Sequence, residues 1–137
     1  MIKSVNLAKE LVVTTGNKVG ILADLSKLLA DHGINIEGVA GYVTDKKEAK
    51  LMLVVNDTLR AKEAIQKKGY KDVKEHEVIV AELENKPGAL KNMTAKLAQD
   101  NIDILYTYGT ASEGNAPARI IFATNSNEKA FVLFKTS

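Results

Sequence analysis

Cysteine is absent from the 137 residues, which excludes disulfides, thiolate zinc sites, iron–sulfur clusters, cysteine nucleophiles and redox chemistry through protein thiols. Histidine is almost absent: His32 and His76 stand alone, and with no second histidine or cysteine at ligand spacing a metal site is not expected. His32 falls in the last turn of an expected helix, where a cation suits the dipole. No Gly-x-Ser-x-Gly surrounds Ser26, Ser112 or Ser126, and no Gly-x-x-x-x-Gly-Lys-Ser/Thr loop occurs. Neither a serine-hydrolase elbow nor a phosphate loop is therefore written. Long apolar runs are missing as well. The stretches 51–55 and 130–134 fall far short of the ~20 residues needed to cross a bilayer. The first six residues lack the apolar core of a signal peptide, so a cytoplasmic location without membrane association is the expectation. Nor is there a surplus of one charge: 19 basic and 17 acidic residues leave +2, too balanced to advertise nucleic-acid binding. The densest basic cluster, Lys67, Lys68, Lys71 and Lys74, is interleaved with Asp72 and Glu75 and reads as a solvated surface.

What is present is a foldable composition, 45% apolar and 26% charged, able to bury a core. It is organised by a repeat. Shifting the chain by 68 positions (17 to 85) lays Asn17-Lys18-Val19-Gly20-Ile21-Leu22 on Asn85-Lys86-Pro87-Gly88-Ala89-Leu90. The same shift sets Leu29-Ala30 on Leu97-Ala98, Ile34 and Ile36 on Ile102 and Ile104, and Gly41 on Gly109. Self-similarity at one spacing without a gap marks a duplicated structural unit.

Each copy spells the same string of elements. The β-branched stretches 11–15 and 78–83 read as strands ending in the Asn-Lys-x-Gly turn. Ile21, Leu22, Leu25, Leu28 and Leu29 then recur at helical spacing, as do Ala89, Leu90, Met93, Leu97 and Ala98. Gly33 and Asn101 follow as helix stops, the two residue types that best tolerate a left-handed backbone. Second strands are expected over 34–43 and 102–110, polar hairpin turns at 45–48 and 113–116, and third strands over 51–55 and 120–123. Asp57 or Thr58 can cap a second helix with Leu59, Ala61, Ala64 and Ile65 inward and Gly69 as its stop. The predicted fold class is α+β: two tandem ferredoxin-like βαββαβ modules, antiparallel sheets with helices on one face.

The first module is expected over 1–76 and the second over 77–137. The second lacks its own last strand, since little more than a turn or two of helix follows Asn127. Lys3 and Val5 fall at the offset of Lys71 and Val73, the expected start of the first copy's fourth strand, so residues 3–8 are expected to fill the fourth-strand slot of the second, within the chain or across a dimer. The alternative is an empty slot that leaves an edge for a partner.

These residues resemble the ACT domains, regulatory modules that bind amino acids. The resemblance rests on Asn17-Lys18-Val19-Gly20 with Gly33-Ile34-Asn35-Ile36, and again on Asn85-Lys86-Pro87-Gly88 with Asn101-Ile102-Asp103-Ile104. It implies ligand contacts from Asn17, Val19, Gly20, Ile21, Leu22 and Asn35 in the first copy. In the second it implies Asn85, Pro87, Gly88, Ala89, Leu90 and Asp103. Asn17 and Asn35 correspond to the two asparagines that hold serine in the related regulatory domain of phosphoglycerate dehydrogenase. Thr15 and Leu83 stand where that domain has a histidine, and Asp103, which accepts but cannot donate while ionised, replaces Asn35. The ligand's side chain therefore stays open.

Chemistry makes the turn suitable independently of any family. A free amino acid needs donors for its carboxylate, and the unpaired N–H groups at a helix N-terminus supply them at the positive end of the dipole. Gly20 and Gly88 permit close approach to that backbone, and Asn17 and Asn85 both donate and accept. The same four residues also serve simply as a tight strand-to-helix turn, and that reading stays open beside the functional one. Tyr106 and Tyr108, with Phe122 across the hairpin, suggest core or dimer packing before an RNA-stacking sheet.

The expectation is a non-catalytic amino-acid sensor without cofactor, a homodimer that binds no nucleic acid, acting on an amino-acid biosynthetic enzyme. Its rival is a regulatory subunit that works by protein contact, with a vestigial ligand site.

Overall fold

The structure, a computed structural model, describes residues 2–136. Its elements run β1 (Ile2–Gly16), α1 (Ile21–Asp31), β2 (Ile36–Val43), β3 (Glu48–Val55), α2 (Thr58–Lys68), β4 (Asp72–Leu83), α3 (Ala89–Gln99), β5 (Ile104–Thr110), β6 (Ala118–Thr124) and α4 (Asn127–Lys135). The fold is α+β, two ferredoxin-like units. One comprises residues 9–76, the other 77–137 together with 1–8. Two strands are longer than any one segment of the sequence reading: β1 joins the expected segment 3–8 to the strand at 11–15 without a break, and β4 joins the fourth strand expected near Lys71 and Val73 to the strand at 78–83.

In the 9–76 unit the strand order is β2-β3-β1-β4. β3 pairs antiparallel with β1 through Leu11↔Leu53 and Val13↔Leu51, and with β2 through Val39↔Leu53, Gly41↔Leu51 and Val43↔Ala49. Because side chains alternate across a strand, Leu11, Val13, Leu51, Leu53 and Val55 share the face that meets Ile21, Leu25, Leu29, Ala61 and Ile65 of the two helices. Leu25 and Leu29 are completely buried, each contributing about 1.5–3 kcal/mol by removal from water. The helix ends follow local stereochemistry. Gly33 stands at φ 68° and Gly69 at φ 116°, and the Asp57 carboxylate accepts from the Arg60 N–H at 3.3 Å. Three leucines depart from the expected stripes: Leu22 is 47%, Leu59 66% and, in the second copy, Leu90 49% exposed; Leu59 stands two, five and six positions from Ala61, Ala64 and Ile65 and so lies off their face of α2.

Tyr70, buried between α2 and β4, donates its hydroxyl hydrogen bond to Asp24 Oδ2 of α1 at 2.5 Å. Burial first, and this bond second, push the phenol up to about 12 from its ordinary 10.0. The folded state therefore prefers the protonated ring. Its stabilisation is complete below pH 10 and is lost as pH rises towards about 12. Tyr70→Phe should cost about 1–2 kcal/mol at neutral pH, read by urea unfolding. It should also flatten the alkaline limb of the stability curve between those two values.

In the other unit the order is β1-β4-β6-β5, with Ile79↔Phe122, Ala81↔Ile120 and Leu83↔Ala118 joining β4 to β6. Val5 of β1 enters the same core as Ile79, Leu83, Met93, Leu97, Phe122 and Phe134. Asn101 stands at φ 56°, the left-handed stop that Gly33 provides in the first copy. The Thr124 N–H and hydroxyl both donate to Asn127 Oδ1, whose amide reaches the Glu77 carbonyl at 2.7 Å. This network starts α4. The aromatic grouping of the sequence is not formed as expected. Phe122 lies opposite Thr107, while Tyr106 and Tyr108 pair with Ala123 and Ile121; strand alternation puts the tyrosines on the face away from Phe122.

Candidate functional site

In the 9–76 unit, β1 ends at Gly16 and the four residues 17–20 separate it from α1. Gly20 makes the corner at φ 94°, and no side chain caps the helix. The Asp24 N–H is bonded to the Gly20 carbonyl at 2.9 Å. The N–H groups of Ile21, Leu22 and Ala23 have no acceptor within the helix, as at every helix start. The Asn17 N–H donates to the Lys47 carbonyl at 2.9 Å, tying this corner to the β2–β3 hairpin and holding the helix start beside the end of β2.

Between them lies a cleft of about 360 Å³, at the small end of the ~300–1,000 Å³ typical of small-molecule sites. Asn17, Lys18 and Gly20 form its polar end. Ile21, Ala49 and Leu51, whose methyl lies against Gly41, form its floor, Leu22, Val39 and Val43 its sides, and Tyr42 completes the lining. The two valines are 47% and 54% exposed. They project from the helix-side face of the edge strand, beyond the reach of α1. Among the described lining residues Lys18 is the one charged group.

Four of the residues singled out in the first copy, Asn17, Gly20, Ile21 and Leu22, line this cleft. Val19 does not and is fully exposed at the tip of the turn. Asn35 does not converge either. It sits beyond the far end of α1, whose 11 residues span about 16 Å at 1.5 Å each. There its N–H donates to Asn56 Oδ1 at 3.0 Å, and its carbonyl accepts from the Asn56 N–H at 3.2 Å. Asp103 and Asn125 repeat that pairing at 3.1 and 3.0 Å. Only the backbone of position 35 or 103 takes part, which explains how asparagine and aspartate interchange there. Asn56 and Asn125 were not singled out in the sequence. Neither were Val39 and Val43, although their every-other spacing around Gly41 was the available signal.

In the second copy Gly88 turns the corner at φ 90°, but the surroundings are polar. A hollow of about 340 Å³ is lined by Lys3, Glu84, Asn85, Lys86, Gly114 and Asn115. The Asn85 amide donates to the Ser112 carbonyl at 2.6 Å, and Lys86 pairs with Glu84 at 2.8 Å. That lysine holds the Glu84 carboxyl below its usual range. Ala89 lines a different hollow, along the outer side of α3 with Ile2, Asn92 and Lys96. Pro87, Gly88 and Leu90 line neither. Among the described residues no group of three histidine, aspartate or glutamate side chains could hold a metal ion, and no helix is long and apolar enough to cross a membrane.

No curated protein sequence matches the chain. Solved structures do resemble it. A protein from Bacteroides thetaiotaomicron superposes with a TM-score of 0.87 at 23% identity, over 96% of this chain and 89% of its own. The ligand-free regulatory subunit of aspartate kinase from Thermus thermophilus gives 0.68 at 14% identity, over 98% and 97%. That from Thermus flavus gives 0.67 at 16%, over 97% and 94%. Such identities establish likeness of fold. Residues 9–67, which contain the Asn17 turn, the cleft and all but the last residue of α2, match the family model of the ACT domain.

Proposed function

We propose that this chain is a regulatory, non-catalytic protein that binds an amino acid at the turn 17–22, and that both of its units are ACT modules. The observation that carries the reading is the cleft itself: a helix start with unpaired N–H groups, Lys18 and Asn17 at one end, and an unfilled apolar trough at the other. It is supported by the ACT match over 9–67 and by the likeness to the aspartate kinase regulatory subunits. The carboxylate would sit on the helix N-terminus, where dipole and donors coincide. Because Asn35 lies at the other end of its unit, a homodimer is the arrangement that brings an Asn35 to the ligand. Binding would then favour one pairing of modules over another, and differential affinity of that kind is what makes a switch. An amino-acid biosynthetic enzyme in the cytoplasm is the expected target.

Thermal-shift measurement against the twenty amino acids tests this. At 100 times its dissociation constant a ligand should add ~2.7 kcal/mol; a chain indifferent to all twenty at millimolar concentration would refute the proposal. Asn85, Pro87, Gly88, Ala89, Leu90 and Asp103 form the second candidate site. We expect it to bind more weakly, because the Asn85 amide already serves Ser112, Lys86 is already paired with Glu84, and the hollow has no apolar lining. Calorimetry should therefore show one ligand per chain saturating first, and Asn17→Ala should remove that phase while Asn85→Ala leaves it. A contact-only regulator is the second reading, favoured by the exposed Val39, Tyr42 and Val43 on one edge strand.

A further inference from the structure

We infer that the cleft of the 9–76 unit selects a short aliphatic carboxylate, an α-amino or α-oxo acid with a branched hydrocarbon side chain, over polar and charged ones. The inference rests on the proposed binding role and narrows it. Three features lead to it. First, the side chains at this end of the trough are aliphatic: Leu22, Val39 and Val43 flank it, Leu51 and Ala49 lie beneath, and Tyr42, the remaining lining residue of the strand, alternates to the opposite face from Gly41 and Val43. Val39 and Val43 face the helix side of an edge strand with about half their surface open, so a ligand there would gain burial that the fold leaves unfilled.

Second, the charge is one-sided. Lys18 is the single charged residue among the described lining groups, and the start of α1 adds its partial positive charge. That complements a carboxylate. An ammonium or guanidinium side chain laid along Val39 and Val43 would find no carboxylate to pair with, and a second carboxylate would lose its water without gaining a donor. With no acid in the lining, the α-ammonium contributes little, so the oxo acid qualifies beside the amino acid.

Third, the floor is shaped by the absence of a side chain. A Cβ on Gly41 would stand 2.5 Å from Leu51 Cδ2, so glycine there lets the Leu51 methyl lie against the strand and floor the trough with hydrocarbon where a branched side chain would rest. Hydrocarbon in such a pocket discriminates by roughly 10-fold or more per methylene.

The experiment is calorimetry on the full chain with leucine, valine, alanine, lysine, aspartate and the oxo acid of valine. Leucine or valine, with or without the oxo acid, should bind at least tenfold more tightly than alanine, and lysine and aspartate more weakly still; the oxo acid separates the two sources of the ligand. The double variant Val39→Thr/Val43→Thr keeps shape and strand propensity and should erase the preference over alanine. Lys18→Gln should weaken every carboxylate alike. Urea midpoints, and Leu22→Ala as an independent change in the same wall, guard against misfolding. If lysine, aspartate or another polar amino acid bound best, the selectivity would be refuted and the binding role would stand. If nothing bound, both would fall.

Discussion

Replacing Val5 by aspartate should remove about 4 kcal/mol or more from the stability of the unit formed by 77–137 with 1–8, the cost of an unpaired carboxylate in an apolar core. Val5 is 4% exposed and belongs to the cluster of Ile79, Ala81, Leu83, Met93, Leu97 and Phe122. Its neighbour Ser4 donates a hydrogen bond to Glu82 at 3.3 Å. Among the described residues no basic side chain is buried to receive an aspartate. Asn6→Asp, one position along and exposed, should change stability by no more than ~0.5 kcal/mol. Hydrogen exchange would localise the loss: amides of 77–83 and 118–124 should lose protection. Deleting residues 1–7 should have the same effect and expose a strand edge, with falling solubility. An unaltered melting temperature after that deletion would disprove the idea that the N-terminal segment acts as the fourth strand.

The duplicated plan was legible because each of its markers is local. A left-handed helix stop depends on one residue's own backbone, so Gly33 and Asn101 could be read without knowing anything distant. Asp57, likewise, needs only the next turn of helix to act as a cap. What depends on width and depth of packing was not legible. Leu22 sits at helical spacing with the buried Leu25 and Leu29, yet is half exposed, and Leu59, two residues before Ala61, falls on another face of α2 than Ala61, Ala64 and Ile65. That the fourth-strand segments near Lys3 and Val73 run on unbroken into the strands at 11–15 and 78–83 was hidden, because only Val5 in 2–9 and only Val73 in 72–77 are buried and no apolar alternation links the halves. For the site, the Asn17 turn was readable as chemistry, whereas Asn35 looked equivalent only along the chain. Eighteen residues of separation (17 to 35) cover a helix and its return, and the two asparagines end at opposite ends of the unit. The apolar walls were hidden for the opposite reason: Val39 and Val43 look like ordinary core valines until β2 is known to be an edge strand.

The matched glycines of the repeat should part company on mutation. Gly109→Ala should destabilise by about 3 kcal/mol, the upper end for overpacking, whereas Gly41→Ala should cost under ~1 kcal/mol and act mainly on ligand binding. Both sit on helix-side faces of edge strands, opposite Ile120 and Leu51, and neither stands in the left-handed region. The reason for glycine is thus space. At Gly109 a Cβ would meet backbone, 2.6 Å from the Arg119 carbonyl oxygen and 3.0 Å from Ile120 Cα. Backbone cannot yield without opening the β5–β6 ladder. At Gly41 the close atom is Leu51 Cδ2 at 2.5 Å, with the nearest backbone atom, the Lys50 carbonyl oxygen, at 3.5 Å. A leucine tip can rotate. It would rotate into the cleft that Leu51 lines, so affinity for an aliphatic ligand should fall about tenfold while the unfolding midpoint barely moves. Equal stability losses in the two variants would mean that Gly41 is kept for packing, and the floor of the trough would lose its part in selecting the ligand.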